Sequence, residues 1–340
     1  MVDQPEPVAQ HSELRWTDLG AGPHLAHQVG AVEAQVPTFL AELTAAARAH
    51  LTATDPASTA VLLHGEDEVV AVLRGVQLAW DGSRAGAPGG GARESLHRAG
   101  EVAADTLAVL DVVVAERWRG RGIGTTALAG LEGWRAQRGA ERLLVLLRPH
   151  AKADYPLVPF ARYVSFVNDD GEPFDPWLRT AWRAGLVPVR GIDRSLVARA
   201  ALADWQRWIG RPVPGSGPYL IPGAIKPAIL ETERDAGGYR EPHLWVAPAT
   251  SIDDVRASPA GAPGVGGSPG SASGVGGSSG SASGVGGSPG SASGVGGSSG
   301  SASGVGGSPA QRRRPDWVAS LAAAGVVAGD RSHREIRRRR

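Results

Sequence analysis

The sequence predicts an α/β (α+β) domain, in which a β-sheet is flanked by helices, followed by a low-complexity segment. Strand-like apolar runs alternate with helically spaced apolar residues from about Glu13 to Pro248. A buried strand runs into a glycine-rich turn that opens a helix, at about residues 107–138. Apolar residues make up 42% of the 340 residues, enough for a sizeable core. Cysteine is absent, which excludes disulfides, thiolate metal sites and a cysteine nucleophile.

The 48 glycines are concentrated toward the carboxyl terminus, where a decapeptide beginning at Gly264 repeats four times in full. Each unit offers one Val and one Ala for burial, too little to offset the entropy lost on ordering. A flexible tether is therefore expected. The predicted organisation is a flexible amino terminus, one folded domain, a disordered Gly/Ser-rich linker and an Arg-rich tail, at residues 1–12, 13–250, 251–310 and 311–340.

The first half of the domain shows clear patterns. They predict a strand at Glu13–Trp16, a helix opened by Pro37, and a hairpin of strands Ala60–His64 and Val69–Leu78. A mobile loop is expected over Asp81–Asp105 because of its run of Gly and Pro. The apolar run Leu107–Val114 predicts a central strand that is buried on both faces, with Asp111 as its one charged residue.

The second half continues with a helix from Thr125 to about Arg138 and a buried strand at Leu143–Leu147. Asp175 and Pro176 are typical of an N-cap and a first helical position, and Gly185 ends the helix that they open. The remaining patterns predict a strand at Leu186–Val189, a helix at Ser195–Trp208, and closing strands near Ile229–Leu230 and His243–Val246.

The most informative motif is Arg119-Gly120-Arg121-Gly122-Ile123-Gly124, between the central strand and the next helix. Such a turn directs backbone N–H groups and the positive end of a helix dipole toward one point, which favours phosphate. A P-loop is excluded because no Lys lies nearby, and the dinucleotide fingerprint is excluded by the glycine spacing. The motif, with Val114 before it, resembles the acetyl-CoA pyrophosphate loop of the GNAT acetyltransferase superfamily.

The order of predicted elements also resembles that family over some 235 residues. The resemblance implies a mixed, mostly antiparallel sheet that splays between its fourth and fifth strands. It also implies acetyl-CoA as co-substrate, no metal, and direct attack of a primary amine on the thioester. The residues it places on the cofactor are Val112, Val113, Val114, Arg119, Gly120, Arg121, Gly122, Ile123, Gly124 and Thr125.

Acid–base residues are less clearly indicated. An ammonium acceptor must lose a proton before attack, and Asp111 is the candidate base, with Glu101 and Asp105 as further candidates. The alternatives for Asp111 are a side chain turned to solvent or an ion pair with an arginine. The family's usual acid is a Tyr whose position falls on or beside Trp182, and an indole cannot serve. Residues 151–174 form one of the segments by which the chain exceeds the family's compact core. Two tyrosines of this segment are the substitute candidates, Tyr155 and Tyr163. A non-catalytic acyl-CoA-binding module of the same fold therefore stays open.

The distribution of charge along the chain limits the classes of partner that we expect it to bind. Residues 311–340 carry nine Arg against three acidic residues, whereas the rest of the chain has a net charge of −5. Nucleic-acid binding is thus not expected, except weakly through the tail. No segment predicts a membrane span or a signal peptide, so a cytoplasmic location is expected. Residues 251–340 are expected to be dispensable for the acyl-CoA site, unless Trp317 and its neighbours insert into a groove on the domain.

Overall fold

We describe a computed structural model of the chain, covering residues 14–101, 103–253 and 316–327. Its strands are β1 (Leu14–Asp18), β2 (Thr59–His64), β3 (Glu68–Leu78), β4 (Thr106–Val114), β5 (Arg142–Leu147), β6 (Leu186–Ala201), β7 (Gly217–Tyr219), β8 (Ala228–Glu231) and β9 (Ala236–Pro248). Its α-helices are α1 (Ala26–Glu33), α2 (Thr38–Thr54), α3 (Gly91–Arg98), α4 (Ile123–Ala129), α5 (Leu131–Gln137), α6 (Phe160–Val164), α7 (Pro176–Arg183), α8 (Leu202–Ile209) and α9 (Trp317–Ala323). The predicted repeat and most of the Arg-rich tail lie outside the described residues.

The nine described strands form a mixed sheet in the order β1-β2-β3-β4-β5-β9-β8-β7, with β6 paired to the other edge of β9. The β4–β5 pair is parallel, and the other pairs are antiparallel. The predicted fold class, a mostly antiparallel sheet flanked by helices, is confirmed. No helix in the described part of the chain combines the length and the apolar character that crossing a bilayer requires.

The parallel pair β4–β5 separates part-way along its length. Pairing runs from Thr106–Arg142 to Val109–Val145 and ends there within the described residues, although β4 continues to Val114. On its other edge, β5 pairs with β9 from Val145 to Leu147. The predicted splay between the fourth and fifth strands is therefore present, and it opens toward the carboxyl ends of both strands.

One predicted helix, at Ser195–Trp208, is wrong over its first part, which belongs to strand β6. The helix expected at Ser195–Trp208 is instead a strand to Ala201, followed by α8 from Leu202. Residues 196, 200, 203 and 207 have helical spacing, but the pairing of β6 along β9 overrides this local pattern up to Ala201. The exposed and buried residues alternate from 197 to 199, as they do in a strand with one solvated face.

The segment Asp81–Asp105, which the sequence predicts to be a mobile loop, also differs from its prediction. It contains α3 and is held against β6 and β9 by hydrogen bonds. Arg190 donates to the carbonyls of Ala85 and Ala87 at 2.9 Å each. The indole of Trp245 donates to the carbonyl of Pro88 at 2.9 Å. The glycines and proline of this segment let its backbone follow the sheet surface closely, which explains a composition typical of loops.

The carboxyl-terminal helix α9 packs into the main core. Asp316 caps it by accepting hydrogen bonds from the N–H groups of Val318 and Ala319. Trp317 and Leu321 are at most 1% exposed. The Trp317 indole donates to the carbonyl of Val164 at 2.8 Å and meets the ring of Trp182 edge to face at 5.3 Å. Trp317 and its neighbours thus pack into the domain, the exception that the sequence left open. The expectation that residues 251–340 are dispensable for the acyl-CoA site stays a prediction.

We predict that Trp317→Ala destabilises the domain by about 3–5 kcal/mol, the usual cost of deleting a buried aromatic side chain. Val318→Ala, in the same helix but only partly buried, should cost clearly less. Urea unfolding of the full chain measures both. Equal stability of Trp317→Ala and the parent chain would show that α9 does not dock in solution.

Candidate active site

The glycine-rich turn between β4 and α4 has the backbone that its sequence demands. A short 3-10 turn at Glu116–Trp118 follows β4, and α4 begins at Ile123. Gly120 and Gly122 have φ of 76° and 81°, in the left-handed region that favours glycine. Gly122 is the N-cap of α4 without a side-chain cap, so the first N–H groups of the helix lack a side-chain acceptor from that residue. This is the arrangement that binds anions.

Gly124 has a different requirement. A Cβ atom at this position would lie 2.9 Å from a ring carbon of Trp177 in α7. The missing side chain therefore allows α4 and α7 to pack closely. The predicted cofactor glycines therefore have two structural roles. Gly120 and Gly122 allow the turn, and Gly124 allows the contact between α4 and α7.

The two arginines of the turn have intramolecular contacts. Arg119 donates from Nε to the carbonyl of Val114 at 3.1 Å and from Nη2 to the carbonyl of Gln35 at 3.4 Å. Arg121 lies over the ring of Trp118, at 5.6 Å from its centroid. Arg119 thus fixes the turn to the end of β4 and to the segment between α1 and α2. The sequence predicted both arginines as phosphate contacts and missed this positioning contact.

Strand β4 changes its pairing register at the point where the splay begins. Gly75 of β3 pairs with Val109 and Arg74 pairs with Asp111, so Leu110 bulges out of the ladder. Beyond this bulge, within the described chain, β4 has a strand partner on the β3 side only. The backbone of Val112 and Val114 is therefore placed to pair with an extended ligand, as an added strand would.

The candidate bases are separated by the fold. Asp111 lies in the splayed part of β4, where it accepts a hydrogen bond from Arg48 of α2 at 2.5 Å. This ion pair is one of the alternatives that the sequence left open. Asp105 and Glu101 lie at the amino end of β4, away from the splay. Asp105 binds Arg142 at 2.5 Å, and Glu101 binds Arg98 at 3.2 Å.

The two candidate tyrosines have different environments. Tyr163 is 1% exposed, and its hydroxyl donates to Asp175 at 3.0 Å. Burial, followed by the negative charge of Asp175, raises the pKa of Tyr163 above its usual value. Tyr155 is 42% exposed and contacts the Tyr163 ring at 5.7 Å between centroids. It lines a surface pocket of about 600 Å³ together with Phe174 and Arg179.

Trp182, at the position of the expected tyrosine, is buried in α7 and contacts Trp317. Its side chain therefore belongs to the core that α9 completes. The structure offers no hydroxyl at residue 182 for protonating a leaving thiolate.

The sequence did not predict a buried polar network at the end of β5. Glu241 is fully buried, and Arg148 donates to both of its oxygens at 2.7 and 3.2 Å. Tyr239 donates to Glu241, and the His243 Nε2 atom lies 3.0 Å from it. Arg148 and His243 come directly after the last β5–β9 pair, Leu147–Leu244. A Glu and a His two residues apart on one strand are the only sequence signal for this network.

The charge of Glu241 is set by opposing effects. Burial alone raises its pKa, but Arg148 and then His243 stabilise the carboxylate and bring the pKa to about 2. His243 keeps Nδ1 buried and without a hydrogen-bond partner among the described residues. The network therefore holds a carboxylate and an imidazole with one unused nitrogen at the open end of β5.

Lys152 lies next to this region and has no carboxylate partner among the described residues. Its ammonium group donates to the carbonyls of Tyr155 and Ile225 at 2.7 and 2.8 Å. Burial, followed by the nearby charge of Lys226, lowers the pKa of Lys152 to about 8. The side chain joins the segment after β5 to the loop before β8.

Residues 31–162 match the family model described as the acetyltransferase (GNAT) family. This part of the chain is therefore similar to a GNAT acetyltransferase domain. The match includes the splayed strands and the glycine-rich turn, and it ends before α7 and the second half of the sheet. The described residues contain no group of three or more His, Asp or Glu side chains that could hold a metal ion.

Similar proteins were found by sequence and by structure. An arginine N-acetyltransferase, avaD, from Aspergillus versicolor is 30% identical over 158 residues, which cover 41% of this chain and 54% of avaD. This chain thus spans about half the length of that relative. The loading GNATL domain of CurA from Lyngbya majuscula is 15% identical, with a TM-score of 0.38 over 69% of this chain and 96% of that domain.

The GNAT-like decarboxylase GphF, in complex with isobutyryl-CoA, is 21% identical, with a TM-score of 0.42 over 54% of this chain and 90% of that protein. The TM-scores of GphF and of the CurA domain are both below 0.5. The activity of neither protein therefore transfers to this chain.

We predict that Gly120→Ala and Gly122→Ala each lower the free energy of unfolding by about 1–2 kcal/mol, because an L-residue is strained at positive φ. Gly133→Ala is the matched control, since Gly133 is inside α5 with no atom within 4 Å of an added Cβ. It should leave stability unchanged or raise it by up to about 1 kcal/mol. Thermal unfolding distinguishes these cases, and equal effects at all three positions would contradict the observed turn.

We predict that Glu241 makes stability fall with acid. Its folded pKa of about 2 is below the usual 4.5, so its contribution is complete above about pH 4.5 and is lost as pH falls toward 2. Glu241→Gln should cost about 3–5 kcal/mol at pH 7, because it leaves a buried charge unpaired, and should flatten the acid slope. Glu132→Gln is the exposed control. Parallel pH profiles of the two variants would contradict the network.

Proposed function

We propose that the chain is an N-acetyltransferase that moves an acetyl group from acetyl-CoA to a primary amine. The observation that carries the proposal is the coincidence of the splayed β4 with the glycine-rich turn at its end. One offers unpaired backbone to an extended pantetheine arm, and the other offers helix N–H groups to a pyrophosphate. Both elements lie inside the GNAT match.

The cofactor would follow the edge of β4 at residues 112–114 and place its pyrophosphate on residues 120–125. Arg119 would hold the turn in position through its bonds to the backbone, and Arg121 would supply positive charge. In the reaction, the amine nitrogen bonds to the thioester carbonyl carbon and the carbon–sulfur bond breaks. The amine loses one proton, and the thiolate of CoA gains one.

The acceptor would approach from the face of the sheet that α2 covers, where Asp111 meets Arg48. We propose Asp111 as the proton acceptor, acting while it shares its carboxylate with that guanidinium. The His243–Glu241 pair at the end of β5 is a second route for the proton. Of the two tyrosines, the exposed Tyr155 is the better proton donor to the thiolate, because Tyr163 already donates to Asp175.

Arginine is the first acceptor to test, since avaD, the 30% identical relative, is an arginine N-acetyltransferase. Its guanidinium and carboxylate would require charged partners of both signs. We propose Asp111 and Arg148 for these roles, and each would have to share its present partner, Arg48 or Glu241, with the substrate. A cytoplasmic location, and at most weak nucleic-acid binding through the tail, stay predictions.

One observation favours a second function, an acyl-CoA-binding module without turnover. The position of the usual acid holds Trp182, which is buried against Trp317. Such a module would bind acetyl-CoA through the same turn and strand but would release no free CoA.

Two measurements test these functions. CoA at a hundred times its dissociation constant should stabilise the full chain by ~2.7 kcal/mol in thermal unfolding. Thiol release from acetyl-CoA, with arginine and a panel of other amines, should then show turnover. CoA stabilisation without any thiol release would favour the binding module. An unchanged melting temperature at millimolar CoA would overturn both functions.

We predict that Gly122→Val weakens CoA binding more than Arg119→Ala does. Valine is strained at positive φ and its branched side chain fills space beside the turn. Alanine at 119 removes charge-assisted bonds worth about 1.5–3 kcal/mol, or roughly 10–150-fold in affinity. Calorimetric titration with CoA measures both effects, with Arg211→Ala as an exposed control. Normal affinity in both variants would contradict the assignment of the turn.

A further inference from the structure

Most arginines in the described chain have a partner, and four of the five exceptions are clustered. Most donate to a carboxylate or a backbone carbonyl or stack on an aromatic ring. Five have no hydrogen bond, ion pair or ring contact among the described residues: Arg93, Arg194, Arg199, Arg211 and Arg240. All five are exposed. Four of them, all except Arg211, line a single pocket together with Gly90 and Val197.

This pocket, which we call the four-arginine pocket, is built by three elements. Val197 of β6 pairs with Arg240 of β9, and Arg199 lies two residues along β6, so the three side chains share the exposed face of this ribbon. Arg194 lies in the irregular part of β6, between the paired residues Ile192 and Leu196. Helix α3 supplies Arg93. None of these elements belongs to the glycine-rich turn.

No carboxylate that the structure describes lines the four-arginine pocket. Three acidic residues adjoin its arginines in sequence. Glu94 accepts a hydrogen bond from the Gly90 N–H at 2.7 Å and pairs with Arg98 at 3.6 Å. Glu241 is buried and paired with Arg148, and Asp193 is exposed. Four guanidinium groups that converge without a carboxylate repel each other, and an anion relieves this repulsion. Guanidinium groups bind phosphate through paired, charge-assisted hydrogen bonds.

The volume and lining of the pocket indicate the size of anion that it can hold. Its volume of about 590 Å³ is within the range of small-molecule sites. Val197 is 39% exposed and offers an apolar contact between the charged groups. A concave site with this lining fits a small molecule better than the even surface of a macromolecule.

We propose that the four-arginine pocket binds a small, multiply phosphorylated molecule at a site separate from the proposed acetyl-CoA cleft. Phosphate groups of the ligand would bridge guanidinium groups from α3, β6 and β9. The ligand would thereby join helix α3 to strands β6 and β9 in the second half of the sheet. This proposal does not depend on the proposed function, because it uses none of the cleft residues.

Calorimetric titration of the full chain with inorganic tripolyphosphate, at physiological salt, tests the proposal. We expect one saturable site. Arg199→Ala and Arg240→Ala should each weaken binding at least tenfold. Arg211→Ala, which removes the same charge from an exposed arginine outside the pocket, should leave the affinity unchanged. Thermal unfolding confirms that each variant is folded.

Several outcomes would overturn the proposal. Absence of binding at millimolar tripolyphosphate is one. Full affinity in both pocket variants would place the binding elsewhere, such as the glycine-rich turn or the Arg-rich tail. An equal loss in Arg211→Ala would show a general effect of net charge. Binding of single-stranded RNA without binding of tripolyphosphate would show a surface for a macromolecule rather than a small-molecule pocket.

Discussion

The separation of β4 from β5 after the Val109–Val145 pair is the constraint on which the rest of the domain depends. Unpaired backbone N–H and C=O groups are costly unless water or another partner satisfies them. Here they are left at the centre of a nine-stranded sheet. In this region each strand keeps a partner on its other side: β4 pairs with β3 beyond the bulge at Leu110, and β5 pairs with β9 from Val145 to Leu147. A stable sheet can therefore maintain an open, strand-shaped gap.

Arginine holds the parts around this gap together. The sequence has only two lysines, Lys152 and Lys226, so guanidinium groups provide most of the cations. Their planar fork can bind two partners at once. Arg148 binds Glu241 and the Gly223 carbonyl, and Arg74 binds Glu33 and hydroxyls of α2 and β2. An ammonium group lacks this fixed geometry, so replacement of these arginines by lysine would not be conservative.

The sequence predicted those parts that local patterns determine. The apolar run of β4, the positive-φ glycines of the turn and the Asp175 cap each follow from a few neighbouring residues, and all are present. Long-range pairing was not predictable in the same way. The spacing of Leu196 and Ala200 suits a helix, and only the partner β9 makes it a strand. The Glu241 network needs residues from β5 and β9, and the Trp182–Trp317 contact joins residues far apart in the chain.

The docking of α9 has a consequence for biosynthesis. The described body of the domain ends at Asp253, and Trp317 follows 64 positions later. At about 5–20 residues per second, a ribosome needs roughly 3–13 s to cross that interval. During this time the nascent domain exposes the apolar face of Trp182 that Trp317 later covers. A chaperone that recognises exposed apolar surface would therefore have a defined period in which to bind, and it would be released when the last helix arrives.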